Sequence, residues 1–255
     1  MAEDNSLGRK VFFLYPSAVI QNQIVAELAQ EEFEVYIIKD EKKLKKALKT
    51  YPNSIVFANL NDGMKESEWE EWIRSVMGNQ ETEGVSIGIL TYGAGDEALK
   101  QKYVEHFKVK CGYTVIKSDI PAAISTLVAI LNSVNAKGRR KYIRALTGSE
   151  TNVTVNLPVN GTFINGHIKD VSVVGFSCYF DEDPALAKNT LFNDIQIRLQ
   201  SQLIKAECIV FGSRMDTGQK TYVLLFTPRT DQTVKSKIRN YIQSYLQGKM
   251  DSELK

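Results

Sequence analysis

The stretch Val153-Thr154-Val155-Asn156-Leu157 alternates apolar and polar residues, the two-residue period of a strand with one buried face. Pro158 and the pair Asn160-Gly161 then interrupt it, as a hairpin turn would. Phe163-Ile164 and Ile168 resume an extended segment leading into Asp170-Val171-Ser172-Val173-Val174-Gly175. Strand periodicity places Asp170 and Ser172 on one face. Gly175 admits a bulge or a positive φ where a ligand or another backbone approaches closely. Further strands are expected over residues 194–199, 203–211 and 221–226, and short strands separated by turn signals point to a small antiparallel barrel. Val234, Ile238, Ile242 and Leu246 recur every four residues, which predicts a closing helix with Thr230 or Asp231 as its cap.

Upstream of this stretch lies Arg139-Arg140-Lys141-Tyr142-Ile143-Arg144, with Arg140 and Arg144 four residues apart. A guanidinium offers two parallel donors to phosphate oxygens or to the O6/N7 edge of guanine. A carboxylate such as Asp170 accepts from the donor-bearing edge of the same base. Taken singly, the arginines read as a solvated basic turn and residues 170–175 as the end of a strand. Both motifs in this order, separated by a plausible strand pair, would coincide in roughly one chain in a hundred at average residue usage.

Arg-x-x-x-Arg followed by Asp-x-Ser-x-x-Gly resembles the signature of PilZ domains, the bacterial receptors for the second messenger cyclic di-GMP. The resemblance covers roughly residues 139 to 248 and implies a six-stranded antiparallel β-barrel with a terminal helix, a nucleotide-binding role in signal transduction, and no catalysis. It implies that Arg140 and Arg144 grip phosphate and guanine, and that Asp170 and Ser172 address the other guanine edge or a neighbouring phosphate. Gly175 gives clearance, and Arg139 is placed to engage a second stacked ligand molecule. No cofactor or metal is expected beside that ligand.

The first half of the chain alternates strand and helix patterns. Apolar runs begin at Val11, Val35, Ile55, Val85 and Tyr113, and amphipathic stretches follow through Ile20–Ala29, Leu44–Leu48, Trp69–Val76, Ala98–Phe107 and Pro121–Val134. Strands apolar throughout imply a parallel sheet covered on both faces, an α/β flavodoxin-like domain. The series is similar to the receiver domain of response regulators, with Thr91 and Lys117 at that family's hydroxyl and lysine positions. The chain departs from the family where phosphorylation needs acids. Tyr15-Pro16-Ser17 follows the first strand, and Asn59 stands where the acceptor carboxylate belongs. A pseudo-receiver is therefore expected over residues 1–136, with a PilZ-like barrel over 137–255. The alternative is a phosphorylation-dependent response regulator with Asp62 as acceptor. Gly138 is the candidate C-cap of the last helix before the arginines.

Composition narrows the classes. Residues 1–138 hold 16 Lys+Arg and 19 Asp+Glu, a net of −3, while residues 139–255 hold 16 and 11, a net of +5. The basic excess therefore lies in the half that carries the arginine motif, which suits a dianionic ligand. It is too small, and too poorly interleaved with aromatics, to favour nucleic acid. No apolar run approaches the ~20 residues of a membrane span. Cys111, Cys178 and Cys208 are widely spaced and His106 and His167 lack ligand partners, so disulfide and zinc frameworks are not expected and a reduced cytoplasm is the simplest setting. No nucleophile triad or phosphate loop is present, and Asp181-Glu182-Asp183 reads as a solvated loop. The expected output is contact with a protein partner.

Overall fold

Five short, apolar strands, Val11–Leu14 (β1), Val35–Ile38 (β2), Ile55–Asn59 (β3), Ser86–Tyr92 (β4) and Tyr113–Ile116 (β5), pair in parallel in the order β2-β1-β3-β4-β5. That is the flavodoxin-like strand order. The computed structural model describes residues 8–93, 95–117, 119–148, 150–159, 161–216 and 218–255. Two compact units result: residues up to Lys141 together with Gln247–Lys255, and Tyr142–Leu246.

In the first unit the strands bury both faces, as continuous apolar runs require. Val11, Phe13, Ile55 and Phe57 pack with Ile20, Ile24 and Leu28 and with Leu127 and Leu131. Phe12, Leu14, Val56 and Ala58, one residue out of phase, are equally buried. The helices are α1 (Ala26–Gln30), α2 (Glu41–Thr50), α3 (Glu66–Met77), α4 (Glu97–Gln101) and α5 (Ile120–Ser133). A π-helical stretch, Ile20–Val25, runs directly into α1, and a second, Lys102–His106, continues α4. Asp40, Asp96 and Asp119 cap α2, α4 and α5 by accepting backbone N–H groups. Helix α5 stops at Ser133, and Asn135 takes the left-handed conformation (φ 52°). The reversal expected of Gly138 is thus made by Asn135, whose short polar side chain tolerates αL. On the edge strand β2 a side chain takes up the peptide groups of Ile37. Gln247 accepts from the Ile37 N–H at 2.9 Å and donates to the Ile37 carbonyl at 3.0 Å.

The second unit is an antiparallel barrel. Its strands are Ala145–Leu146 (β6), Val153–Val159 (β7), Thr162–Ser172 (β8), Gly175–Phe180 (β9), Leu191–Leu199 (β10), Gln202–Asp216 (β11) and Gln219–Phe226 (β12). The order β8-β7-β10-β11-β12-β9 closes because β9 also pairs with β8, and the two-residue β6 lies on β8 beyond the end of β7. The interior is filled by alternate residues, among them Val153, Val155, Leu157, Ile168, Ile195, Ile197, Cys208 and Leu224. Helix α6 (Gln232–Glu253) buries Ile238, Tyr241 and Ile242 in the same core. Asp231, one of the two expected caps, accepts from the Thr233 N–H at 2.5 Å.

Two expectations are corrected here. Pro158 does not end its strand: β7 runs to Val159, with Pro158 opposite Phe163. Its missing N–H is tolerated because the pairing of β7 with β10 reaches only Asn156, leaving one side of Pro158 without a ladder. The turn that follows was expected at Asn160-Gly161; Asn160 lies outside the described residues, and Gly161 has φ 80°. Residues 175–180 were not expected as a strand, yet they form β9 and close the barrel.

Gly166 sits on β8 opposite Phe180 of β9. A Cβ there would lie 2.5 Å from the Tyr179 carbonyl oxygen and 2.7 Å from the Phe180 ring. Gly166→Ala is expected to cost about 1–3 kcal/mol by overpacking, read as a lower urea midpoint with an unchanged slope.

Candidate ligand-binding site

The site in the second unit is built by the short strand β6. Its register, Ala145 opposite Val171 and Leu146 opposite Asp170, carries Arg144 to the edge of β8. Thr147 clamps the strand there: its N–H donates to the Lys169 carbonyl at 2.8 Å and its hydroxyl to the Ile168 carbonyl at 2.9 Å. Both carbonyls flank a bulge, because the pairing with β9 skips Lys169 between Ile168 and Asp170. Such a bulge re-aims the side chains next to it. Lys169 is itself paired with Asp216 at 2.6 Å.

Arg144 Nη1 then meets Asp170 Oδ1 at 3.0 Å. The other carboxylate oxygen of Asp170 accepts from the Ser177 hydroxyl directly across the β8–β9 ladder. Arg144 keeps 44% of its side chain exposed and Asp170 16%, so the pair lies at a solvent-reachable surface. Ser172 is buried and donates to the Gly175 carbonyl at 3.1 Å, fastening the two-residue turn Val173-Val174. Gly175 gives clearance to backbone: a Cβ there would stand 2.3 Å from the Leu224 carbonyl oxygen of β12. Arg139 and Arg140 belong to the first unit, exposed on the irregular segment after α5.

The structure thus brings Arg144, Asp170, Ser172 and Gly175 to one corner of the barrel. In that corner Ser172 and Gly175 shape the turn, while Arg144 and Asp170 present charge. Ser177 is the partner that sequence reasoning missed. Its signal is slight: one hydroxyl in the run Phe176-Ser177-Cys178-Tyr179-Phe180. The acids at 181–183 are exposed, but Asp183 is not merely solvated. The Tyr222 hydroxyl, the Ala185 N–H and Lys220 hold its carboxyl below the usual range. The cysteines are buried. Burial pushes the thiols of Cys111 and Cys208 up to about 11 and about 12, and that of Cys178 higher still, so none is a ready nucleophile near neutral pH.

At the carboxyl end of the parallel sheet, Asn59, Tyr15, Ser17, Tyr92 and Thr91 bond to one another or to neighbouring groups, and the Tyr15 hydroxyl donates to Glu41. Asn59, fully buried at the end of β3, donates to the Tyr15 carbonyl at 2.8 Å. Tyr15 has φ 51°, and its ring lies over Gly63, where a Cβ would be 2.2 Å from it. The Ser17 and Tyr92 hydroxyls are bonded to each other, and Thr91 is buried and bonded to the Tyr113 hydroxyl at 3.0 Å. Asp62 and Lys117 are exposed.

A closed antiparallel barrel followed by a helix sets the fold of the second unit, and the comparison with protein families narrows its class. Residues 138–244 match the PilZ domain family, and that segment is a PilZ domain. No curated protein sequence matches the chain at a significant level. The barrel is similar to the PilZ domain of YcgR from Escherichia coli solved with c-di-GMP, at TM-score 0.39 and 12% identity over 45% of this chain and 97% of that one. It is also similar to the inhibitor of motility MotI/DgrA of Bacillus subtilis (TM-score 0.38, 15% identity, 44% and 52% of the two chains). MrkH of K. pneumonia in its apo state gives TM-score 0.37 and 14% identity over 46% and 55%. The chain therefore spans about half the length of the latter two.

With Asn59 in place of an acceptor carboxylate, incubation with acetyl phosphate and Mg²⁺ is expected to leave the mass of the protein unchanged. A phosphoryl group mapped to Asp62 by peptide sequencing would establish a working receiver.

Proposed function

We propose that the protein is a cyclic di-GMP receptor, and that its output is contact with a protein partner rather than catalysis. The observation that carries this reading is the Arg144–Asp170 pair at the rim of a PilZ barrel. A guanidinium with nearly half its surface free can grip a phosphate or the O6/N7 edge of guanine while Asp170 holds it in place. The remaining lone pairs of Asp170 suit the N–H donors on the opposite edge of the base.

Arg140 is the other arginine of the motif, four residues before Arg144, and is directly preceded by Arg139. Arg140 is assigned to phosphate and to stacking on the base, and Arg139 to a second stacked ligand molecule. Unlike Arg144, which is already paired, these two exposed side chains are the ones that ligand would order. The domain division proposed remains a pseudo-receiver over 1–136 and the receptor over 137–255, with the ordering of the connector as the signal. With Asn59 no phosphoryl acceptor, the first unit serves protein contact or domain geometry. A cytoplasmic setting goes with this reading. Among the described residues no helix is long and apolar enough to cross a membrane.

Titration calorimetry against cyclic di-GMP, with GTP and cyclic di-AMP as controls, tests the proposal. Binding restricted to cyclic di-GMP is expected. Arg144→Ala is expected to lose about 1.5–3 kcal/mol, the range for a hydrogen bond to a charged group. Arg144→Lys should not restore it, because Lys lacks the planar fork. Full affinity in either variant would refute the assignment of Arg144. Unchanged small-angle scattering at saturating ligand would refute the ordering of the connector.

A further inference from the structure

We propose that Ser177 is a positioning residue for this ligand, one that sets guanine selectivity by holding the Asp170 carboxylate in a single orientation. The inference rests on the cyclic di-GMP reading and extends it to a residue outside the arginine and Asp-x-Ser-x-x-Gly motifs. Ser177 is buried, at 4% exposure, on a strand whose neighbours Phe176 and Cys178 are in the barrel core. Its backbone is fixed from both sides, opposite Asp170 on β8 and opposite Val223 on β12. A buried hydroxyl is costly unless it is bonded, and its partner is the carboxylate of Asp170. Such a bond to an ionised acceptor is among the stronger kinds.

Asp170 is therefore gripped twice, by Arg144 on Oδ1 and by Ser177 on Oδ2. A carboxylate offers about four lone-pair directions, so about two remain for ligand donors. Arg144 is the longer and more exposed partner, which cyclic di-GMP would itself engage. Ser177 is the rigid one, short and built into the barrel wall. When ligand draws on Arg144, the serine is what keeps Asp170 from rotating away from the base. Its loss leaves the positive charges that attract phosphate unchanged and blunts the recognition of the guanine N–H edge.

Ser177→Thr and Ser177→Val have nearly the same shape and differ in the hydroxyl, so their comparison cancels the packing change at this buried position. Calorimetry of both, with thermal melting to establish that each is folded, is expected to show Val binding cyclic di-GMP about tenfold more weakly than Thr. The preference for cyclic di-GMP over cyclic di-AMP is expected to fall in the same variant. Equal affinities and equal preferences in the two variants, with wild type binding, would overturn the role of Ser177 alone. Absence of binding by the wild type would overturn the receptor reading, and this inference with it.

Discussion

The pairing of β8 with β9 is the constraint on which the second unit depends. It turns an open sheet into a closed barrel, and the same ladder sets Asp170 opposite Ser177. Closure and site are thus one event in the chain. The turn that joins the strands is two residues, Val173-Val174, and both residues beside it are committed to shaping it. Ser172 spends its hydroxyl across the turn, and Gly175 admits the backbone of β12. The signature Asp-x-Ser-x-x-Gly therefore divides its labour. Its acid pairs with Arg144 at the rim, and its serine and glycine hold the hairpin that carries the acid.

The bulge at Lys169 refines this arrangement. An extra residue in β8 leaves two successive carbonyls for Thr147, and that clamp fixes the two-residue strand β6. Arg144 is thereby tied to the barrel through its own chain continuation, and the Asp170 contact follows. A guanidinium on a loose loop would lose conformational entropy on meeting a ligand. Here the residues just beyond it are already ordered.

Much of this was legible in residue order. The five apolar runs of the first half became β1 to β5 because a strand buried on both faces has no polar alternation to obscure it. The alternation at Val153, Val155 and Leu157 marked β7 for the opposite reason, one face in and one out. What escaped was local. Pro158 looked like a stop because the ladder it would interrupt is visible only once β10 is seen to end at Asn156. Strand β9 escaped because it opens on Gly175 and continues through a nearly unbroken apolar run, in which two-residue periodicity cannot be read. Ser177 was invisible for the same reason, since its importance lies in what stands across the ladder from it. The arginines and Asp170 could be named through the family resemblance of their motifs, whereas the hydroxyl that holds the acid needed the register.

The amide of Gln247 has a consequence for handling the protein. An outermost strand with open peptide groups is a template for any other extended chain. In the first unit one such strand is β2, and the Gln247 carboxamide occupies the donor and acceptor of Ile37. A fragment trimmed at the end of the barrel sequence, or a first half expressed by itself, would uncover this rim. Self-association of such pieces would then report the missing cover, and say nothing about the native assembly.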